Sequence, residues 1–61
     1  MKNKQLIQDI EDIKLCLTEA QKALEDDKLQ EAGDCTVAAQ LRIVPVVKSI
    51  SNLFNTPKDE N

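Results

Sequence analysis

Residues 6–24, LIQDIEDIKLCLTEAQKAL, decide the fold of this 61-residue chain. Apolar residues recur along the stretch at alternating spacings of four and three, which is typical of the contact stripe of a helix in a coiled coil or bundle. Opposite the stripe the side chains are polar or charged, and Leu15 is the one large apolar residue there. The stretch therefore predicts an amphipathic helix that packs through one side. Its stripe consists of Leu6, Ile10, Ile13, Leu17, Ala20 and Leu24.

A second stripe of the same kind follows a short acidic break at residues 25–28. Carboxylates favour helix N-caps, and Asp27 with Gln30 three residues later fits a capping box that opens a second helix. Helices joined by so short a connection run antiparallel, so residues whose numbers sum to 52 or 53 are expected to lie level across a hairpin. The second stripe consists of Ala32, Thr36, Ala39, Ile43, Val46, Ile50 and Leu53.

The expected architecture is a single all-α domain over residues 1–61. It comprises a first helix over about 4–25, a turn at 26–28, a second helix over about 28–54 and a polar tail at 55–61. Pro45 lacks an N–H and crowds the carbonyl of Leu41, so the second helix is expected to kink or to break there. A kink is favoured, because the stripe spacing continues through Pro45 unchanged.

The second helix is also apolar on the side away from its stripe. The first helix can cover only one side of it, and a helix that is apolar nearly all round needs cover nearly all round. We therefore expect a homo-oligomer, with a dimeric four-helix bundle favoured over a higher assembly, or else an obligate partner protein. A monomer with scattered exposed valines is the less favoured alternative. The expected oligomer or partner interface consists of Val37, Leu41, Val44, Val47 and Phe54.

The residue types present argue against catalysis. The chain has no histidine, so neither Cys16 nor Cys35 has the usual base to activate it. The carboxylates lack the alternating spacing of a calcium loop, and the single glycine, Gly33, excludes a glycine-rich phosphate loop. We expect no enzyme activity, no cofactor and no metal, and we expect the two cysteines to be buried free thiols.

Charge and hydropathy limit the location and the partners. The net charge is −3 and the basic residues are scattered, which makes nucleic acid an unfavoured partner without excluding it. The longest apolar run, residues 43–47, is far shorter than the ~20 residues that span a bilayer. The start of the chain has no apolar segment of the kind found in secretory signals. These features predict a cytoplasmic protein without a membrane partner.

The function expected from these features is a non-enzymatic interaction module. An adaptor, an inhibitor or a small regulator of phage or plasmid type would act as a homo-oligomer by binding another protein. An alternative is an oligomer that binds a small anionic ligand near Arg42, the only arginine, because a guanidinium group suits anion recognition. Arg42 could instead reach solvent or pair with Asp9 or Asp12 on the first helix.

Two helices around a short acidic turn, in about sixty acidic residues, resemble the Rop family of plasmid-encoded RNA-binding proteins. The resemblance covers most of the chain and lies in the layout, without a specific motif. It implies an antiparallel four-helix bundle and RNA binding through the first helix. That helix has no aromatic residue here. Its lysines, Lys4, Lys14 and Lys22, alternate with Gln8, Glu11 and Glu25.

Overall fold

The computed structural model describes residues 3–55, which form two α-helices. Helix α1 spans Lys4–Glu25 and helix α2 spans Leu29–Asn55. The two helices pack against each other along their lengths. The predicted all-α class and the predicted helical hairpin are confirmed. Asn55, the first residue of the predicted polar tail, is the last residue of α2, and the rest of that tail lies outside the described residues.

The turn between the helices is a Schellman motif. Asp27 has a left-handed backbone, with φ of 60°. The N–H of Asp27 donates to the carbonyl of Leu24 at 3.1 Å, and the N–H of Lys28 donates to the carbonyl of Ala23 at 2.7 Å. The predicted capping box is wrong, because a left-handed residue that ends α1 is not in the extended conformation of an N-cap. The carbonyl of Lys28 instead accepts the first bond of α2, from the N–H of Ala32 at 3.0 Å.

The contact between the helices is a narrow seam of residues seven places apart. Leu6, Ile13 and Ala20 supply it from α1, and each falls opposite a residue of α2 whose number brings the sum to 52. Ile13 belongs to a buried cluster against which Leu6 and Cys16 pack. Alanines dominate the buried side chains, so the helices approach closely over a small core. The buried residues are Ile13, Ala20, Ala23, Ala32, Ala39 and Val46.

Half of each predicted stripe lies outside this seam. The helices are rotated so that Asp9, Cys16 and Cys35, each three places after a seam residue, flank the contact and are half-buried. Arg42 and Ser49, at the same offset near the open end of α2, are exposed. Residues four places after a seam residue lie at the other margin of the contact and are only partly covered, and Leu17 keeps 50% of its surface exposed. The prediction that these residues fill the hairpin contact is therefore met only in part: Ile10, Ile43 and Ile50 are 37–39% exposed, whereas Leu17 and Leu24 are 50% and 57% exposed. The residues four places after the seam are Ile10, Leu17, Leu24, Thr36, Ile43 and Ile50.

Helix α2 is longer than α1 and continues past it. In the seam register, Lys4 at the start of α1 lies level with Lys48, so α2 runs about two turns further. Leu53 has the heptad position of a seam residue but is exposed, because no part of α1 lies opposite it. Helix α2 is a single helix that contains Pro45, so two separate helices do not form there.

The hairpin is one helix thick. Its shortest principal extent, measured over the Cα atoms, is 11 Å. Each helix has a single helical neighbour and leaves most of its circumference without cover. The fold thus leaves four sides open: the two broad sides of the hairpin, the outer edge of α1 and the outer edge of α2.

Candidate interaction surfaces

Helix geometry assigns the flanks of the seam to the two broad sides. One residue advances about 100° around an α-helix, so four places after a seam residue is about 40° to one side and three places is about 60° to the other. Helix α2 runs in the opposite direction to α1, and its seam residues also face the opposite way. These two reversals cancel, so a given offset turns toward the same side on both helices. Equal offsets on α1 and α2 therefore lie on the same broad side of the hairpin.

The front face is the broad side formed by residues four places after the seam, together with Leu29 one heptad before Thr36. Within the two helices it is apolar apart from Thr36, and Asn3, seven places before Ile10, lies at its open end. Leu29 at 67% and Leu24 at 57% are its most exposed members, next to the turn. No other element of residues 3–55 covers this side. The apolar members of the front face are Ile10, Leu17, Leu24, Leu29, Ile43 and Ile50.

The rear face is the opposite broad side, formed by residues three places after the seam. Shallow depressions there are lined from both helices: one contains Asp9 and Arg42, another Asp9 and Ser49, and a third Ala23 and Cys35. These shared depressions show that the rear residues of α1 and α2 lie on the same side. The members of the rear face are Asp9, Cys16, Ala23, Cys35, Arg42 and Ser49.

Arg42, the predicted anion contact, is exposed beside a carboxylate. It lines a depression of about 260 Å³ with Asp9, Leu41 and Pro45. Within residues 3–55 the one ion pair joins Lys14 and Glu11 at 3.4 Å, so Arg42 does not pair with Asp9 or Asp12. The carboxylate of Asp9 therefore lies where an anion would bind to Arg42. Arg42 is exposed to solvent, as the alternative to an anion site expected.

The outer strip lies along the edge of α2 away from α1 and consists of Val37, Leu41 and Val44. Its spacings of four and three keep the three side chains on one line of the helix. Leu41 is 71% exposed, and both valines are exposed as well. Val47 and Phe54 lie between the outer strip and the front face and are also exposed. All five residues of the predicted interface are thus on the surface of the hairpin.

The two cysteines are free thiols on the rear face, and both are half-buried rather than fully buried. Partial burial raises the pKa of the Cys35 thiol, and the carboxylate of Glu19 raises it further. A raised pKa keeps the sulfur protonated at neutral pH, and the thiol form is a poor nucleophile. The surroundings of Cys35 therefore lower its reactivity.

Metal-ion sites and membrane-spanning segments are both absent from residues 3–55. No group of three or more cysteine, aspartate or glutamate side chains in residues 3–55 is arranged to hold a metal ion. Neither α1 nor α2 has a stretch long and apolar enough to cross a membrane.

Comparison with known proteins gives no match: no family model, no curated protein and no solved structure is significantly similar to this chain.

The front face is the surface that the sequence patterns failed to single out. The spacing assigns all of its residues except Leu29 to the contact between α1 and α2. The signal that separates them is the asymmetry around the seam. Three places after the seam the residues are small or polar, as at Asp9, Cys16 and Arg42, whereas four places after it they are large and apolar, as at Leu17 and Ile43. The apolar stripe is thus centred to one side of the seam.

Proposed function

We propose that this protein is a cytoplasmic, non-enzymatic interaction module that works as a homo-oligomer and binds another protein. The observation that carries the proposal is the distribution of apolar residues. Fourteen large apolar residues are exposed in the hairpin, whereas the buried set contains four alanines, one isoleucine and one valine. A surface with so much apolar area is characteristic of proteins that bind other proteins.

The energetics of the hairpin support the oligomeric part of the proposal. Ordering a chain costs about 1.5 kcal/mol per residue, and burial of apolar area is the main term that offsets this cost. An alanine side chain contributes one methyl group to that burial, so a core of alanines offsets little. Covering the exposed leucines, isoleucines and valines adds the missing area. We infer that the folded chain is an oligomer at micromolar concentrations, and that the smallest oligomer able to cover this area is a dimer.

The outer strip supports the part of the proposal that concerns a second protein. Val37, Leu41 and Val44 present an apolar line at positions i, i+4 and i+7, which is the pattern by which helices dock into apolar grooves. Pro45 follows Val44 directly, and the kink predicted there would curve the strip. An adaptor, an inhibitor or a phage-type or plasmid-type regulator would use such a strip to occupy a site on its target.

Sedimentation equilibrium tests the oligomeric part. From about 1 to 100 µM we expect a mass of twice 6.8 kDa or a higher whole multiple, together with a helical circular dichroism spectrum. A folded monomer over that whole range would contradict the proposal.

Capture from a native lysate with matched variants tests the partner. Leu41→Glu and Leu15→Glu each place a carboxylate on an exposed leucine, one on the outer strip and one on the outer side of α1. We expect a protein that is retained by the native chain and by Leu15→Glu but is lost with Leu41→Glu. Equal capture by both variants would remove the outer strip from the proposal.

A further inference from the structure

The front face presents enough apolar area for a protein–protein interface. From their fractional exposures, its six apolar residues present on the order of 500 Å². A standard interface buries ~800 Å² per partner, of which about 60% is apolar, so roughly 500 Å² of apolar area is needed. The front face alone reaches this area. The outer strip, with three residues in a single line, falls short of it.

The front face is built in layers that differ in bulk. Front residues whose numbers sum to 53 lie level across the hairpin, and successive layers are about 10 Å apart. From the turn outward, a layer of two leucines is followed by one of leucine and threonine and then by one of two isoleucines. The outermost layer holds an isoleucine and an asparagine. The layers are Leu24 with Leu29, Leu17 with Thr36, Ile10 with Ile43, and Asn3 with Ile50.

We propose that a second copy of this chain covers the front face, front to front, with the turn of each copy over the open end of the other. This proposal rests on the homo-oligomer of the proposed function and adds which face is covered and in which orientation. The result is a four-helix bundle whose two-fold axis lies midway between the layer of Leu17 with Thr36 and the layer of Ile10 with Ile43, level with residues 13–14 and 39–40. Helix α2 then runs antiparallel beside α2 of the second copy.

The layers favour this orientation. With the turn over the open end, the layer of Leu17 and Thr36 meets Ile10 and Ile43 of the second copy, so every layer contains three large apolar side chains and one polar one. If the turn of one copy instead lay over the turn of the other, each layer would meet the identical layer of the second copy. Two Thr36 hydroxyls would then share one layer and two Asn3 amides another, and buried polar groups without partners are costly.

The overhang of α2 favours the same orientation. Ile50, Leu53 and Phe54 extend to or past the start of α1, where the hairpin itself offers little or no cover. With the turn of the second copy placed there, they lie next to its Leu24 and Leu29. The most exposed apolar residues of the turn and those of the open end thus cover each other.

Gly33 gives a third indication. It lies inside α2, and nothing is within 4 Å of the position that a Cβ atom would take. Glycine inside a helix is less favourable than alanine by about 1 kcal/mol, and its lack of a side chain allows close approach of another backbone or side chain. In the proposed dimer, Gly33 lies within one residue of the level of Val47 of the second copy, on the side where the two α2 helices meet.

Two glutamate substitutions on α1 test which face is covered. Leu17 lies on the front face and Leu15 on the outer side of the same helix, and both are about half exposed. We expect Leu17→Glu to raise the dimer dissociation constant, measured by sedimentation equilibrium, by at least about 100-fold. Leu15→Glu is expected to change it less than about threefold. A dimer that tolerates Leu17→Glu as well as Leu15→Glu would overturn the proposal and leave the homo-oligomer standing.

A disulfide trap tests the orientation without disturbing the fold. Gln40 is exposed beside the proposed two-fold axis, where it meets Gln40 of the second copy. In a chain with Cys16→Ala and Cys35→Ala, we expect Gln40→Cys to form a covalent dimer under mild oxidation, and Leu15→Cys to form none. A dimer in which Gln40→Cys fails to cross-link would overturn the orientation. A native chain that sediments as a folded monomer would instead remove the proposed function together with this inference.

Discussion

The two broad sides of the hairpin have the same spacing and opposite chemistry. Three places after the seam, the rear face carries Asp9, Cys16 and Arg42; four places after it, the front face carries Ile10, Leu17 and Ile43. The helices pack through the seam and lean toward the rear, where Asp9 and Cys16 are half-buried. The large residues are consequently left outside. The hairpin therefore leaves its main apolar side open.

The largest effect on the free energy of unfolding is expected from a comparison of two adjacent residues, Ile43 on the front face and Arg42 on the rear face, each replaced by glutamine. Ile43→Gln places an amide on the front face, and we expect it to lower the free energy of unfolding by about 2–3 kcal/mol per chain, because an apolar side chain is lost from an interface and a polar one replaces it. Arg42→Gln changes the adjacent residue on the rear face, and its effect is expected to stay within about 0.5 kcal/mol. Urea unfolding at fixed chain concentration, followed by circular dichroism, measures both.

Similar losses from the two glutamine variants would mean that the front face is no more covered than the rear. Concentration gives an independent control. Unfolding of a dimer shifts to higher urea as the chain concentration rises, whereas that of a monomer does not. The native chain and Arg42→Gln are expected to show this shift, and Ile43→Gln is expected to show less of it.

The hairpin could be predicted from the sequence because both helices follow a strong heptad pattern and the break between them is short. The sequence was also sufficient to place Val37, Leu41 and Val44 on the surface, since α1 cannot reach the far side of α2. The rotation of the helices was not predictable from the spacing alone. A stripe with spacings of four and three contains two lines of residues, and the size of the residues beside each line decides which line forms the contact.

The turn was predicted at the right place but with the wrong chemistry. Asp27 and Gln30 match the spacing of a capping box, yet Asp27 closes α1 instead of opening α2. The sequence Asp26-Asp27-Lys28 contains no glycine, which is the usual sign of a left-handed helix end, so the pattern gave no warning of a Schellman motif. Local spacing rules cannot separate the end of one helix from the start of the next when three residues serve both.

A smaller effect is expected at this turn, which both sides of the hairpin share. Asp27 is left-handed, with φ of 60°, and glycine adopts that conformation without the steric cost that a side chain brings. We expect Asp27→Gly to raise the free energy of unfolding by about 0.5–1 kcal/mol, measured in urea. The dimer dissociation constant is expected to stay unchanged, because the turn residue lies outside the front face. Asp26→Gly serves as the control and is expected to give no gain, since Asp26 has a negative φ of −92°. A change in the dissociation constant would show that the turn takes part in the interface.

The smallest effect concerns the thiol of the rear face. Partial burial and the nearby Glu19 carboxylate raise the pKa of Cys35, so less thiolate is present at a given pH than in the unfolded chain. In a Cys16→Ala background, we expect iodoacetamide to alkylate the folded chain at pH 8 more slowly than the urea-unfolded chain. Glu19→Gln is expected to speed the folded reaction, because it removes a negative charge that opposes the thiolate.

The same alkylation rate compares the two sides directly. If a second copy covers the front face, the rear thiol keeps its surroundings when the dimer forms, and the rate is expected to be the same above and below the dissociation constant. A rate that falls as the dimer forms would place the second copy over the rear face. The thiol of Cys35 would then lie in the interface, and the open front face would be left for another protein.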